Sequence, residues 1–422
     1  MTIWNDHVQG VDALAERLRG SLITSKEDLN FSRTSLTALF NYGFRPFFLL
    51  AGVQAVVAMA VWLAVLYGMA WEMSWLSPSE WHAHEMIFGF IAAALAGFLL
   101  TAVASWTGQR GFAGPPLMVL VAIWLGGRIA MAPGLGVPQW LAAVIDLAFL
   151  PSVAVAITPS LIRARNVRNF PLVAFLILLF VADLLFHVPD PGAWHGVRGP
   201  TLAVDAILLM VVLVGGRIVP AFTGNALRTS HPDARVAPFG WVDRAAITAA
   251  VAVLVVDLAT PDGILAGVVT LVAGVLLAWR LLRWRGWLVR DMPIAWVLHV
   301  AYAWIPIGLG LKGLWLLWQF DVGANWVHAL TAGAYATMIL AVTTRAALGH
   351  TGRPLVAAKP IVVAYLLVTL AAVTRVFAPV FAPSMPQITW TLAGTLWMAA
   401  FGLYCAVYAP ILSRPRIDGR PG

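Results

Sequence analysis

Runs of apolar residues longer than an ordinary soluble helix recur along this chain, and no other feature narrows its fold as far. Twelve such segments can be delimited, at 44–70, 83–106, 116–132, 138–161, 170–188, 200–222, 241–259, 262–282, 293–318, 326–347, 358–380 and 387–412. Each is long enough to cross a hydrocarbon core of about 30 Å as a helix. Inside lipid the backbone satisfies its polar groups only in helices or closed barrels. The expected fold is therefore an all-α membrane protein with about twelve transmembrane helices in one bundle. Three regions follow: a polar N-terminal segment 1–43 with a short surface helix over 11–19, the bundle over 44–412, and a tail over 413–422. The N-terminal segment carries no cleavable-signal pattern. Composition closes off the soluble classes, because only 11% of the residues are charged and 61% are hydrophobic, whereas soluble domains carry about 25% charged residues. Thr260 and Pro261 between the seventh and eighth segments predict a tight hairpin.

The formal charge of +8 points to anionic lipid at a cytoplasmic surface and not to nucleic acid. With the N-terminus inside, 23 of the 27 Lys and Arg residues fall in cytoplasmic segments, so both termini are expected there. The four left over are Arg128, Arg198, Lys312 and Arg375, all near outer helix ends or in outer loops. They either snorkel to headgroups or hold an acidic ligand near the outer face. The single cysteine, Cys405, excludes an intrachain disulfide and any thiolate cluster, so a metal would rest on His, Met or oxygen.

Nine histidines are present. His7 and His231 sit in polar stretches and read as solvated. His82, His84, His187, His195 and His328 lie at outer ends of segments, where imidazole faces a bundle interior or water. This common depth predicts a metal or cofactor site near the outer face. On a helix His82, Glu85, Met86 and Gly89 would share a face, whereas His84 lies about 200° from His82. The two histidines therefore serve two sites, or they precede the regular helix. In the tenth segment His328, Thr331, Tyr335 and Met338 are expected on one face. In the ninth, His299 and Tyr302 share one, and His299 reads either as a ligand or as a buried hydrogen-bonded histidine. Asp183 and His187 stand one turn apart, a spacing at which a carboxylate can orient an imidazole. His350 reads as a loop anchor. Small residues at Gly89, Ala93 and Gly97, and at Gly308 and Gly313, predict close helix packing. No Walker A loop, Rossmann glycine pattern, HExxH or CxxCH occurs, so any haem would be bound non-covalently.

Several ordered motifs go further. Phe44-Arg45-Pro46-Phe47-Phe48 enters the first segment, and Trp81-His82-Ala83-His84-Glu85-Met86-Ile87-Phe88-Gly89 opens the second. Gly97-Phe98-Leu99-Leu100-Thr101-Ala102 and Trp106-Thr107-Gly108 follow. Gly216-Arg217-Ile218-Val219-Pro220-Ala221-Phe222-Thr223, His328-Ala329-Leu330-Thr331 and the run from Arg345 through Gly349-His350-Thr351-Gly352-Arg353 complete the set. In these the chain resembles the NnrS family of bacterial membrane proteins over nearly all of its length after residue 40. The resemblance implies a haem- and copper-containing membrane protein linked to nitric oxide and to protection from nitrosative stress. The chain is more distantly similar to haem-copper oxidases and nitric oxide reductases, where a haem-ligating histidine stands four residues before a Met, as His82 does before Met86. It departs from them in having no His-His pair, with Trp326 where a second histidine would fall.

The metal ligands expected from these readings are His82 or His84 with His328, with His187 and His299 as further candidates and Glu85, Met86, Tyr302 and Arg217 in support. Arg375, with Arg128 or Lys312, is expected to hold the propionates of a b-type haem. Copper is the second expected cofactor, and the partners are nitric oxide or a related small molecule, the bilayer, and an electron donor such as quinol. Two other functions fit the same residues. One is a nitric oxide reductase or other oxidoreductase using Glu85, Asp146, Asp183 and Asp205 for protons. The other is a transporter of a metal or small anion.

Overall fold

The computed structural model describes residues 37–109, 111–188 and 198–419. The surface helix expected over 11–19, and His7 and His195, lie outside the described residues. Among these, all regular structure is helical. We number the helices α1 Phe44–Leu66, α2 Pro78–Thr107, α3 Pro115–Ala130, α4 Gln139–Arg163, α5 Val167–His187, α6 Gly199–Arg228, α7 Trp241–Ala259, α8 Ile264–Leu282, α9 Pro293–Trp318, α10 Asp321–His350, α11 Lys359–Phe381 and α12 Pro386–Leu412. Ten of them are long and apolar enough to cross a membrane. The two others are α3, which has only 16 residues, and α7, whose 19 residues include Asp243, Arg244 and Asp257.

Outward-facing apolar side chains show what surrounds the bundle. Val144, Val155, Val275, Leu366 and Leu392 are each more than half exposed, the highest at 72%. A soluble surface rarely carries so much contiguous apolar area, whereas lipid is its natural solvent. The chain is a multi-pass helical membrane protein.

Neighbours in sequence pack as neighbours in space: α1 on α2, α3 on α4, α5 on α6, α7 on α8, α8 on α9 and α11 on α12. Helix α12 also packs on α1, bringing the first and last helices together. Small residues set the closest approaches. A Cβ on Gly97 would sit 2.8 Å from the Phe48 ring, and one on Gly308 would sit 2.7 Å from Leu330. The hairpin between α7 and α8 closes with the Gly263 N–H donating to the Thr260 carbonyl at 3.3 Å.

Three helices widen locally into π-helix, over Glu85–Ile91 in α2, Val211–Gly215 in α6 and Ala329–Ala336 in α10. Such widening is rare and marks functional positions more often than chance. All three stretches line internal cavities.

Candidate functional site

Helix α2 starts earlier than its apolar run. Ser77 caps it, with Ser77 Oγ accepting the Glu80 N–H at 3.3 Å and Glu80 Oε2 accepting the Ser77 N–H at 2.9 Å. Pro78 at the first position completes a strong start signal. Trp81 Nε1 donates to the Met131 carbonyl at 2.7 Å and fixes how the helix enters the bundle. His82 and His84 therefore both lie on regular helix, and their angular separation sends them to different sites.

His82 faces a cavity of about 290 Å³. Its ring stacks on Trp62 of α1 at 4.7 Å, and its Nδ1 is buried without a hydrogen-bond partner. Met86 lines the same cavity one turn on, and His328, just before the π-widened stretch of α10, and Thr331 within it enter from the other side. Arg375 of α11 completes the polar lining, with its guanidinium 5.6 Å from the Trp390 ring and donating to Asn325 Oδ1 at 3.2 Å. Trp390 Nε1 is a second buried donor without a partner. The cavity thus brings together His82, His328, Met86 and Arg375 in walls that are mostly apolar, with Ser79, Thr201 and Thr331 among them.

His84 points into a second polar centre, built from α1 to α5. Its Nε2 lies 2.9 Å from Asp146 Oδ2 and 3.0 Å from Asp183 Oδ1, and its Nδ1 lies 3.2 Å from Glu85 Oε1. His187 Nε2 lies 3.2 Å from the same Asp146 oxygen and 3.9 Å from Asp183 Oδ1. Arg128 donates to Glu85 Oε1 at 2.5 Å and to Asp146, and Gln54 donates to Glu85 Oε2 at 2.6 Å. His84, Glu85, Asp146 and Asp183 are each at most 2% exposed.

Glu85 and Gly89, which regular helix spacing puts on the His82 face, lie on another one. Glu85 turns to His84, and Gly89 faces Gln54 and Arg128, where a Cβ would stand 2.8 Å and 3.1 Å from their side-chain nitrogens. The π-widened stretch begins at Glu85, and its slower rotation per residue carries Gly89 round to the Glu85 side. A similar shift divides α10, where His328 and Thr331 line the first cavity but Tyr335 and Met338 line a smaller apolar one of about 80 Å³.

The three cations expected around one ligand are dispersed. Arg375 lines the His82 cavity, Arg128 belongs to the His84 centre, and Lys312 pairs with Asp257 beneath the Trp326 ring, 4.5 Å from its centroid. Two of the three thus have buried carboxylates as partners already. His299 Nε2 lies 2.8 Å from Thr223 Oγ1. Tyr302 accepts from Arg280 at 3.1 Å, and Trp284 packs on both His299 and Tyr302. Neither residue lines the His82 cavity. Arg217 donates to Asn169 Oδ1 at 3.1 Å and ties α6 to the start of α5.

A model of the family described as NnrS protein matches residues 38–416, nearly the whole chain. The chain belongs to the NnrS family. No curated protein matches it. The NnrS motifs gather at the two ends of the bundle. At one end lie the His82–Gly89 run and His328-Ala329-Leu330-Thr331. At the other, Arg45 donates to the carbonyls of Leu412 and Arg414 at 2.8 and 2.7 Å, and Phe44 packs on His350 at 5.3 Å. There the His350 carbonyl accepts from Arg416 at 2.8 Å.

Proposed function

We propose that the chain is an inner-membrane metalloprotein that binds a b-type haem in the His82–His328 cavity, with copper, and handles nitric oxide or its products to protect the cell from nitrosative stress. The observation that carries this reading is the convergence of His82 and His328, 246 positions apart in sequence, on one cavity with Arg375 beside them. The residues fit the group. Orphaned His82 Nδ1 and Trp390 Nε1 are donors or acceptors that a bound group would satisfy, since buried polar atoms rarely stay unpaired. Family membership supplies the link to nitric oxide.

His82 and His328 would bind iron through neutral imidazole. Trp62 holds the His82 ring in place by stacking, Met86 gives a soft thioether beside it for copper, and Arg375 offers its fork to a propionate. When bound, haem would supply an iron centre that takes a small uncharged ligand only where one of the two imidazoles yields its place. Apolar walls exclude water, and the smaller apolar cavity, which shares Ile91 with the first, offers such a ligand a path that costs no desolvation. We place all twelve helices across the membrane with both termini cytoplasmic, because that arrangement puts the cation-rich segments inside. The His82 end then faces outward.

A second reading, reductase turnover, draws on the buried carboxylates Glu85, Asp146 and Asp183 near α2 as a proton supply. Optical spectroscopy and metal analysis of the detergent-purified protein test the first reading: one haem per chain, with bands that shift on adding nitric oxide, supports it, and haem-free protein overturns it. Nitric oxide consumption with a quinol donor supports the second reading, and binding without consumption removes it.

A further inference from the structure

The centre around His84 has a charge deficit that its own side chains do not close. Glu85, Asp146 and Asp183 are three buried carboxylates, and Arg128 is the one Arg or Lys in contact with them among the described residues. With neutral histidines two negative charges remain uncompensated in a low-dielectric interior, which is costly enough to demand a counter-charge. Either two protons shared among His84, His187 and the carboxyls or one divalent cation balances the centre.

The geometry favours the cation. His84 Nδ1 stands against Glu85 Oε1, and Glu85 is itself held by Gln54 and Arg128. Metal-binding histidines characteristically donate their second ring N–H to a carboxylate fixed in this way. That leaves the His84 Nε2 lone pair facing Asp146 Oδ2 and Asp183 Oδ1 almost equally, at 2.9 and 3.0 Å. One N–H cannot align with both oxygens, and His187 Nε2 competes for the same Asp146 oxygen at 3.2 Å. An imidazolium at His187 would also carry a buried Nδ1–H with no acceptor, worse for a charged donor than for a neutral one. A metal ion serves all four groups together. Their ligand atoms lie within 4.8 Å of one another, and the separations of 2.9, 3.0, 3.2 and 3.9 Å bracket the edge of a tetrahedron. With metal–ligand bonds of about 2.0–2.2 Å that edge is about 3.3–3.6 Å.

We propose that His84, Asp146, Asp183 and His187 form a binding site for a divalent first-row metal ion, separate from the His82–His328 cavity. Two imidazoles and two carboxylates without sulfur suit zinc or ferrous iron rather than cuprous copper. Bridging α2, α4 and α5, the ion locks the α2 entrance that carries His82.

The test uses the full chain in detergent, stripped with a chelator, dialysed against buffered zinc and assayed for bound metal by mass spectrometry. Wild type should retain one zinc per chain and melt at a higher temperature with zinc than without. His187→Ala and the near-isosteric Asp183→Asn should each weaken retention at least about 100-fold, the upper range for losing even an outer-shell partner. His328→Ala should retain zinc fully, whatever happens to its haem, so failure of the haem reading is distinguishable from failure of this one. Co-purified haem and a single gel-filtration peak check that the variants are folded, and the zinc-dependent melting shift in wild type stands if they are not. No retained zinc in wild type, or equal retention in wild type and folded Asp183→Asn, overturns the site and leaves two protons as the balancing charges.

Discussion

Arg375 and Arg414 differ in surroundings although both are arginines near helix ends. Arg375 lines the His82 cavity over the Trp390 ring, whereas Arg414 is exposed after α12. A charged hydrogen bond to a buried acid contributes about 1.5–3 kcal/mol. Arg375→Gln should therefore weaken haem retention about tenfold to a hundredfold, with Arg414→Gln unchanged; equal retention in a haem-dilution assay would leave Arg375 a headgroup anchor. His299 calls for the opposite expectation. Its Nε2 is partnered by Thr223 inside the protein, so Thr223→Val should lower thermal stability by about 1–3 kcal/mol without changing metal or haem content. Loss of metal in that variant would restore His299 as a ligand.

At the scale of elements, the offset of about 200° between His82 and His84 on the regular first turns of α2 divides the histidine motif between two centres, and a π-widened stretch follows from Glu85. Gly89 lies within this stretch, and a Cβ there would collide with Gln54 and Arg128. Gly89→Ala should cost about 1–3 kcal/mol through overpacking. Gly310→Ala in α9, where nothing lies within 4 Å, should be neutral or stabilising by up to about 1 kcal/mol. Melting curves in detergent compare the two. Much of this level is legible in the sequence: every apolar segment corresponds to a helix, and the 200° offset of His84 from His82 already separates their sites. The face of Gly89 is not legible, because regular helix spacing assumes a rotation that the π-helix after Glu85 alters. Nor are the partners of His84, since Asp146 and Asp183 stand 62 and 99 positions away and no local period encodes which helices become neighbours. For the same reason the depth of Arg128 and Lys312 can be read from the chain, but their pairing with Asp146 and Asp257 cannot.

At the scale of the whole molecule, the bundle has one end built around histidines and carboxylates and another built around Arg45, the α12 carbonyls and the turn at His350. In the proposed topology the second end is the cytoplasmic one. A reporter active only outside the inner membrane should be active when fused in the loop at 70–76 and inactive at 232–238; the reverse pattern would invert the bundle and place the His82 cavity inward. The most direct test of a haem held between α2 and α10 is haem stoichiometry in His82→Ala, His328→Ala and His299→Ala beside wild type. One b-type haem per chain in wild type and in His299→Ala, with loss in the other two, is the predicted result. Full haem in both His82→Ala and His328→Ala, or none in wild type, would contradict it.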